Sequence, residues 1–296
     1  MSAVVITGAG SGIGRACAMR LLRDGWAVVV TDINPEAAEA TVELAHVAGF
    51  GDRVTSCRVD VRDESSVAEA VAAAVATFGS LGAMVNNAGI GGAFGPIHTI
   101  EQADWDFTFE VLVRGVFFGI KHAVTELRKG GGGAIVNVAS AAAFSGGFGP
   151  APYSAAKAAV VNLTRAAATE LAPELIRVNA VAPGAVVTAM TDGGDPDESK
   201  SRFAASQPWP EAGSADHIAA AVAYLAGDDS RFVNGETLVV DGGLVAAGPG
   251  RGYAERMRTD PGRRGLSGIS YGSTGTPAVV RRRESSPYQT GGREAR

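Results

Sequence analysis

The sequence predicts an α/β fold: a doubly wound parallel sheet with helices on both faces, built as a single domain over residues 1–247. Short β-branched runs alternate with Ala-rich amphipathic stretches as far as that boundary. The strand runs are apolar almost without interruption, as strands covered on both faces are. No Pro/Gly linker breaks the stretch. The strands expected in order are Val4–Ile6, Val28–Val30, Val54–Val59, Ala83–Val85, Ile135–Val138, Arg177–Val181 and Leu238–Val240. The helices expected between them cover about 12–24, 35–47, 63–78, 100–128, 152–172 and 214–226. Thr99 and Gln102 have the spacing of a capping box at the start of the longest. Residues 189–213 are polar, with a short helical patch near 198–206, and read as a lid.

The tail differs. Residues 248–296 hold ten arginines against four acids and show no hydrophobic periodicity. They read as disordered or as an inter-subunit arm. The whole chain carries a net charge of -5, so the part before the tail is strongly acidic, which argues against a nucleic-acid binder. No apolar run reaches the roughly 18 residues of a transmembrane helix, and no leader pattern precedes the first strand. Cys17 and Cys57 fit no disulfide or metal spacing and read as buried, inert thiols. These features point to a cytoplasmic protein that engages neither membrane nor metal.

The motifs follow the strands. Thr7-Gly8-Ala9-Gly10-Ser11-Gly12-Ile13-Gly14 ends the first strand and opens the first helix. Glycines there permit a tight turn and close approach of a pyrophosphate, and the helix start offers free N–H groups. Asp32 ends the second strand, where a carboxylate accepts both adenosine ribose hydroxyls and repels a 2′-phosphate. With no basic residue at Ser11 or Ile33, the expected cofactor is NAD rather than NADP. Asp32 also suits the cap of the helix near Pro35. Asp60 and Val61 follow the third strand and suit an adenine contact, although Asp60 too fits a helix cap. Asn86-Asn87-Ala88-Gly89 ends the fourth strand, with side-chain amides to bridge neighbours and small residues to admit a cofactor.

Tyr153 and Lys157 share a helix face, and Ser140 ends the preceding strand. Interconverting an alcohol and a ketone needs a proton donor and acceptor at the oxygen. A free tyrosine is only about 0.1% ionised at pH 7, so the Lys157 ammonium and a positive nicotinamide are expected to lower its pKa. Ser140 is placed to hold the substrate oxygen. His122 has no partner at ligand spacing and is given no role.

Taken in order, Thr7 to Gly14, Asn86 to Gly89, Ser140, Tyr153-x-x-x-Lys157, Asn179 and Pro183-Gly184 resemble the short-chain dehydrogenase/reductase family over about residues 1–245. The resemblance implies a Rossmann-like sheet of seven strands, with Ser140, Tyr153 and Lys157 catalytic. Lys157 would also hold the nicotinamide ribose, while Val186 (backbone) and Thr188 would hold the carboxamide. The remaining cofactor contacts would be Gly8, Ser11, Gly12, Ile13, Gly14, Asp32, Ile33, Asp60, Val61, Asn87, Ala88, Gly89, Pro183 and Gly184.

One position departs: Leu112 stands where the family carries a catalytic Asn that supports a proton path through a water beside the lysine. Slower turnover is expected, and a dinucleotide-binding protein without catalysis is the reading this departure leaves open. Residues 114–122 and 146–154 resemble the branch containing secoisolariciresinol and xanthoxin dehydrogenases and bacterial cyclic-alcohol or hydroxysteroid dehydrogenases. The expected substrate is therefore an apolar cyclic secondary alcohol or its ketone, with biosynthetic ketone reduction as the alternative direction. Phe94, Ala141, Phe148, Met190 and Trp209 are candidate pocket liners by position, and each suits a core equally. The family resemblance implies a homodimer or homotetramer packed through the helices near 100–128 and 152–172.

Overall fold

The computed structural model describes residues 2–188, 191 and 195–248, and the backbone of 266–269 and 279–282. The chain divides into two compact units, Met1–Val245 and Ala246–Arg296. In the first, seven strands form one parallel sheet: β1 (Ala3–Thr7), β2 (Ala27–Asp32), β3 (Val54–Arg58), β4 (Leu81–Asn86), β5 (Gly133–Val138), β6 (Ile176–Pro183) and β7 (Thr237–Val240). Their order is β3-β2-β1-β4-β5-β6-β7. Beyond residue 248 the described backbone is an antiparallel pair, β8 (Leu266–Ile269) and β9 (Val279–Arg282). The expectation of disorder or an inter-subunit arm for 248–296 otherwise lies outside the described residues.

The helices of eight residues or more are α1 (Gly12–Arg23), α2 (Pro35–Val47), α3 (Glu64–Phe78), α4 (Gln102–Phe109), α5 (Gly115–Lys129), α6 (Ala151–Leu171), α7 (Pro196–Ser206) and α8 (Ala215–Ala226). Alternate residues of each strand face opposite layers. Ala3 and Val5 of β1 join a core with α3, α5 and α6, while Val4 and Ile6 join a core with α1, α2 and α8. All five β1 residues are buried, which is why no polar alternation shows in the sequence.

Several local expectations are corrected. The stretch near 100–128 is not one helix: a five-residue π-helical turn, Glu110–Arg114, separates α4 from α5. The expected Thr99 cap does not form. Thr99 closes a 3₁₀ turn by donating to the Pro96 carbonyl at 2.8 Å, and Glu101 takes the cap position of α4 without a side-chain bond. A capping box does form at Ser214 and His217 ahead of α8. Cys17 is buried, but Cys57 is only half-buried because β3 is the edge strand.

Three asparagines bind the sheet to its surroundings. Asn86 donates to Asn137 Oδ1 at 2.8 Å across paired positions of β4 and β5, and Asn137 donates to Thr164 of α6 at 2.9 Å. Gly119 of α5 lies so close to Asn86 that a Cβ there would overlap the Asn86 carboxamide oxygen. Asn179 of β6 donates to Val233 O at 2.8 Å and accepts from Glu236 N at 3.0 Å, fixing the approach to β7.

Candidate active site

The strand order reverses between β1 and β4, and a crevice at the carboxyl ends of strands is the expected result there. A cleft of about 390 Å³ lies at that point. Every residue proposed above for cofactor binding or catalysis lines it, including Gly8, Asp32, Tyr153, Lys157 and Thr188.

The floor is stitched across the switch. Thr7 Oγ1 accepts from the N–H groups of Asn87 and Ala88, both at 3.0 Å, and Asn87 Nδ2 donates to the carbonyls of Thr7 and Gly8 at 2.9 and 3.0 Å. This holds the turn after β1 against the turn after β4. Gly8 has φ +64°, and a Cβ there would lie 2.8 Å from Ala88 Cα, so the close approach requires glycine. Ser11 precedes α1 without a side-chain cap, the first turn holds no acid, and Arg20 and Arg23 occupy the last turn. The first-turn N–H groups and the positive end of the helix dipole therefore suit phosphate oxygens, and the glycine cradle lets them approach.

Asp32 is fixed where it stands. Its carboxylate accepts from the N–H groups of Gly10 and Asn34, both at 3.0 Å. It does not cap α2: Asn34 does, accepting from Ala37 N. Asp60 does not cap α3 either, because Asp63 takes that place. Arg62 grips the Asp60 carboxylate at 2.6 Å and holds its pKa below the usual value. The Arg62 guanidinium lies 5.0 Å from the Phe107 ring centroid, so the cleft edge here is an Arg–Phe wall backed by a neutralised acid.

Tyr153 lies in the first turn of α6, which Pro150 and Pro152 initiate. Lys157, one turn on, is 4% exposed and donates to the Val138 carbonyl at 2.7 Å. Its ammonium lies 5.8 Å from the Tyr153 ring centroid. Burial lowers the Lys157 pKa to about 8. Burial also raises the Tyr153 pKa, against a hydrogen bond from Ser140 that lowers it. The expected lowering by Lys157 is thus corrected: desolvation of the phenol dominates, and the opposing effect comes from Ser140. Ser140 Oγ also accepts from Ala142 N at 3.1 Å, which orients it.

Also lining the cleft, Val186 pairs with Gly213 as a β-bridge, and Thr188 packs so that a Cβ on Gly12 would meet its methyl at 3.4 Å. Leu112, in the π-helical turn, is fully buried. A Cβ on Gly89 would lie 3.4 Å from its Cδ2 and 3.9 Å from Lys157 Nζ. Phe94, Ala141, Phe148 and Trp209 do not line the cleft, and Phe94 and Trp209 are 84% and 60% exposed. Met190 lies outside the described residues. Lining residues that the motifs did not reveal include Arg62, Phe107, Val111 and Thr191. Arg62 adjoins Val61 and Thr191 follows Thr188 by three, which were the available signals. His122 contacts Glu64 at 3.0 Å and does not line this cleft. Among the described residues there is no cluster of metal-ligating side chains and no helix long and apolar enough to cross a membrane.

Comparison with known proteins agrees with this geometry. A family model described as enoyl-(acyl carrier protein) reductase matches residues 8–245. The chain is 43% identical over 243 residues to cis-4-hydroxycyclohexanecarboxylate dehydrogenase of Sinomonas cyclohexanicum, covering 82% of this chain and 96% of that one. It is 39% identical to 2-(R)-hydroxypropyl-CoM dehydrogenase of Xanthobacter autotrophicus over 82% of this chain and 98% of that one. The crystal structure of levodione reductase superposes with a TM-score of 0.78 at 37% identity, covering 83% of this chain and 98% of that one. The chain belongs to the short-chain dehydrogenase/reductase family and, with these relatives, is an oxidoreductase acting on CH–OH groups.

Proposed function

We propose that the protein is an NAD-dependent dehydrogenase that interconverts a ring-borne secondary alcohol and its ketone. One observation carries the reading: a phenol, an ammonium and a serine hydroxyl line the same cleft as a glycine turn beside a fixed carboxylate. Relatives named for hydroxycyclohexanecarboxylate, cyclohexanol and levodione support the ring-borne substrate.

The glycine turn and the start of α1 receive the pyrophosphate, Asp32 the adenosine ribose, Asp60 and Val61 the adenine, and Lys157 the second ribose. Val186 and Thr188 hold the carboxamide. The fixed negative charge of Asp32 disfavours a 2′-phosphate, which is the reason for naming NAD. The nicotinamide, held there, would supply the hydride acceptor for oxidation and the hydride donor for reduction. Ser140 holds the substrate oxygen and stabilises its developing charge. Tyr153 takes the proton from that oxygen in oxidation and returns it in reduction, with Lys157 adding positive charge beneath. The proposed setting is cytoplasmic, and the proposed assembly is a homodimer or homotetramer through α4, α5 and α6. Phe117, a large apolar side chain exposed on α5, supports such a contact. Light scattering that reports a monomer at micromolar concentration would reject the assembly.

The deciding experiment follows absorbance at 340 nm with NAD and then NADP across cyclic and steroidal secondary alcohols, beside Tyr153→Phe. NADH formation that falls by about 10²–10⁴ in the mutant, with NADH binding retained, is expected. Saturable binding without turnover of any alcohol or ketone would overturn the proposed substrate and the role of Tyr153.

A further inference from the structure

Thr191 has one hydroxyl proton and several neighbours for it. Its Oγ1 lies 2.6 Å from the Val186 carbonyl, 3.2 Å from the Thr188 carbonyl and 3.2 Å from Thr188 Oγ1, and it accepts from Thr188 N at 3.0 Å. The 2.6 Å contact has the length of a strong O–H···O bond, and the others do not. The Thr191 proton therefore belongs to Val186 O. That leaves Thr191 Oγ1 an acceptor toward Thr188, so the Thr188 hydroxyl proton points to Thr191. Thr188 then presents only lone pairs to the cleft, which both threonines line. The main chain enforces the same geometry, since Thr191 N donates to Thr188 O at 2.9 Å.

We infer that Thr191 is a positioning residue that fixes Thr188 as a hydrogen-bond acceptor for the carboxamide N–H of the coenzyme. The chain of bonds runs from carboxamide N–H to Thr188 Oγ1, from Thr188 O–H to Thr191 Oγ1, and from Thr191 O–H to Val186 O. A threonine whose proton is thus committed discriminates an amide from a group without N–H, and it holds the ring at one rotation. The inference rests on the coenzyme reading above, and the test separates the two.

The test measures dissociation constants by titration calorimetry for NADH, for ADP-ribose, which lacks the ring, and for the reduced 3-acetylpyridine dinucleotide, which lacks the amide N–H. The proteins are wild type, Thr191→Val and Thr191→Ser. In Thr191→Val the NADH constant should rise about tenfold, the size of one hydrogen bond of about 1.4 kcal/mol. The ADP-ribose and acetylpyridine constants should stay within twofold, and Thr191→Ser should restore NADH binding. Equal weakening of all three ligands in Thr191→Val, or of none, would overturn the inference while leaving the coenzyme reading standing. Circular dichroism shows whether the variant is folded; if it is not, Thr191→Ala takes the place of Thr191→Val under the same criteria. If wild type binds neither NADH nor ADP-ribose, the coenzyme reading fails and this inference falls with it.

Discussion

Lys157 lies in the interior with its ammonium on the Val138 carbonyl, and burial brings its pKa down to about 8. Between about pH 8 and the ordinary lysine value, the unfolded chain binds a proton that the folded chain lacks. Stability therefore rises with pH across that window, and below it the residue weakens the fold by about 3 kcal/mol. Lys157→Met should raise stability at pH 7 by about 1–3 kcal/mol and give little gain at pH 10.5. Urea denaturation at both pH values checks this, and turnover should be lost in the same variant. Tyr153 has the opposite shift: its raised pKa keeps it protonated at neutral pH. Alcohol oxidation should accordingly speed up as pH rises from 6, and ketone reduction should not, in initial rates measured in both directions. Asp32→Asn removes charge while keeping an acceptor for Gly10 and Asn34. It should narrow the NAD-over-NADP preference in kcat/KM by tenfold or more, on the order of one charge–phosphate contact. An unchanged preference would take selectivity away from Asp32. At this scale the motifs led to residues that line one cleft, since Gly8, Asp32, Asn87 and Ser140 lie at strand ends and Tyr153 and Lys157 share a helix face. The sequence did not carry their ionisation. Arg62 on Asp60, and the weight of burial over Lys157 in setting Tyr153, depend on side-chain directions that spacing does not encode.

Helix and strand boundaries were legible where caps and β-branched runs mark them, as at Pro35 and Val138. The π-helical turn Glu110–Arg114 was not, since its residues keep the helical apolar pattern and one extra residue per turn leaves no compositional mark. That turn carries Leu112 into the interior near Gly89 and Lys157. Leu112→Asn should raise turnover and alter its pH profile, and it should lower stability by about 2 kcal/mol through a buried amide. Turnover and profile both unchanged would show that no proton path depends on this position. Packing between α5 and β4 makes a harder demand. Gly119→Ala would force a methyl into the Asn86 carboxamide and so displace a bridge that continues through Asn137 to α6. Thermal denaturation should show a loss of about 1–3 kcal/mol or more. Gly147→Ala, with open space around it, should leave the melting temperature within a degree or two, on the order of a surface change.

Across the first unit, the β1/β4 reversal follows from right-handed crossovers running outward in both directions, and it fixes where the cleft opens. The alternation of strand and helix made the layers legible. The position of Val186 was not, because a β-bridge to Gly213 sets it from 27 residues away. The two thiols add something of a different kind. Cys17 is fully buried between α1 and the sheet, with a pKa pushed up to about 12, while Cys57 is half-buried on the edge strand. An alkylating reagent therefore meets one thiol that the fold partly exposes and another that is both covered and protonated. Modification of Cys17 must wait for α1 to lift from the sheet. Its labelling rate under native conditions, counted by mass, is thus a clock for the opening of the molecule, and a ligand held at the start of α1 should slow it.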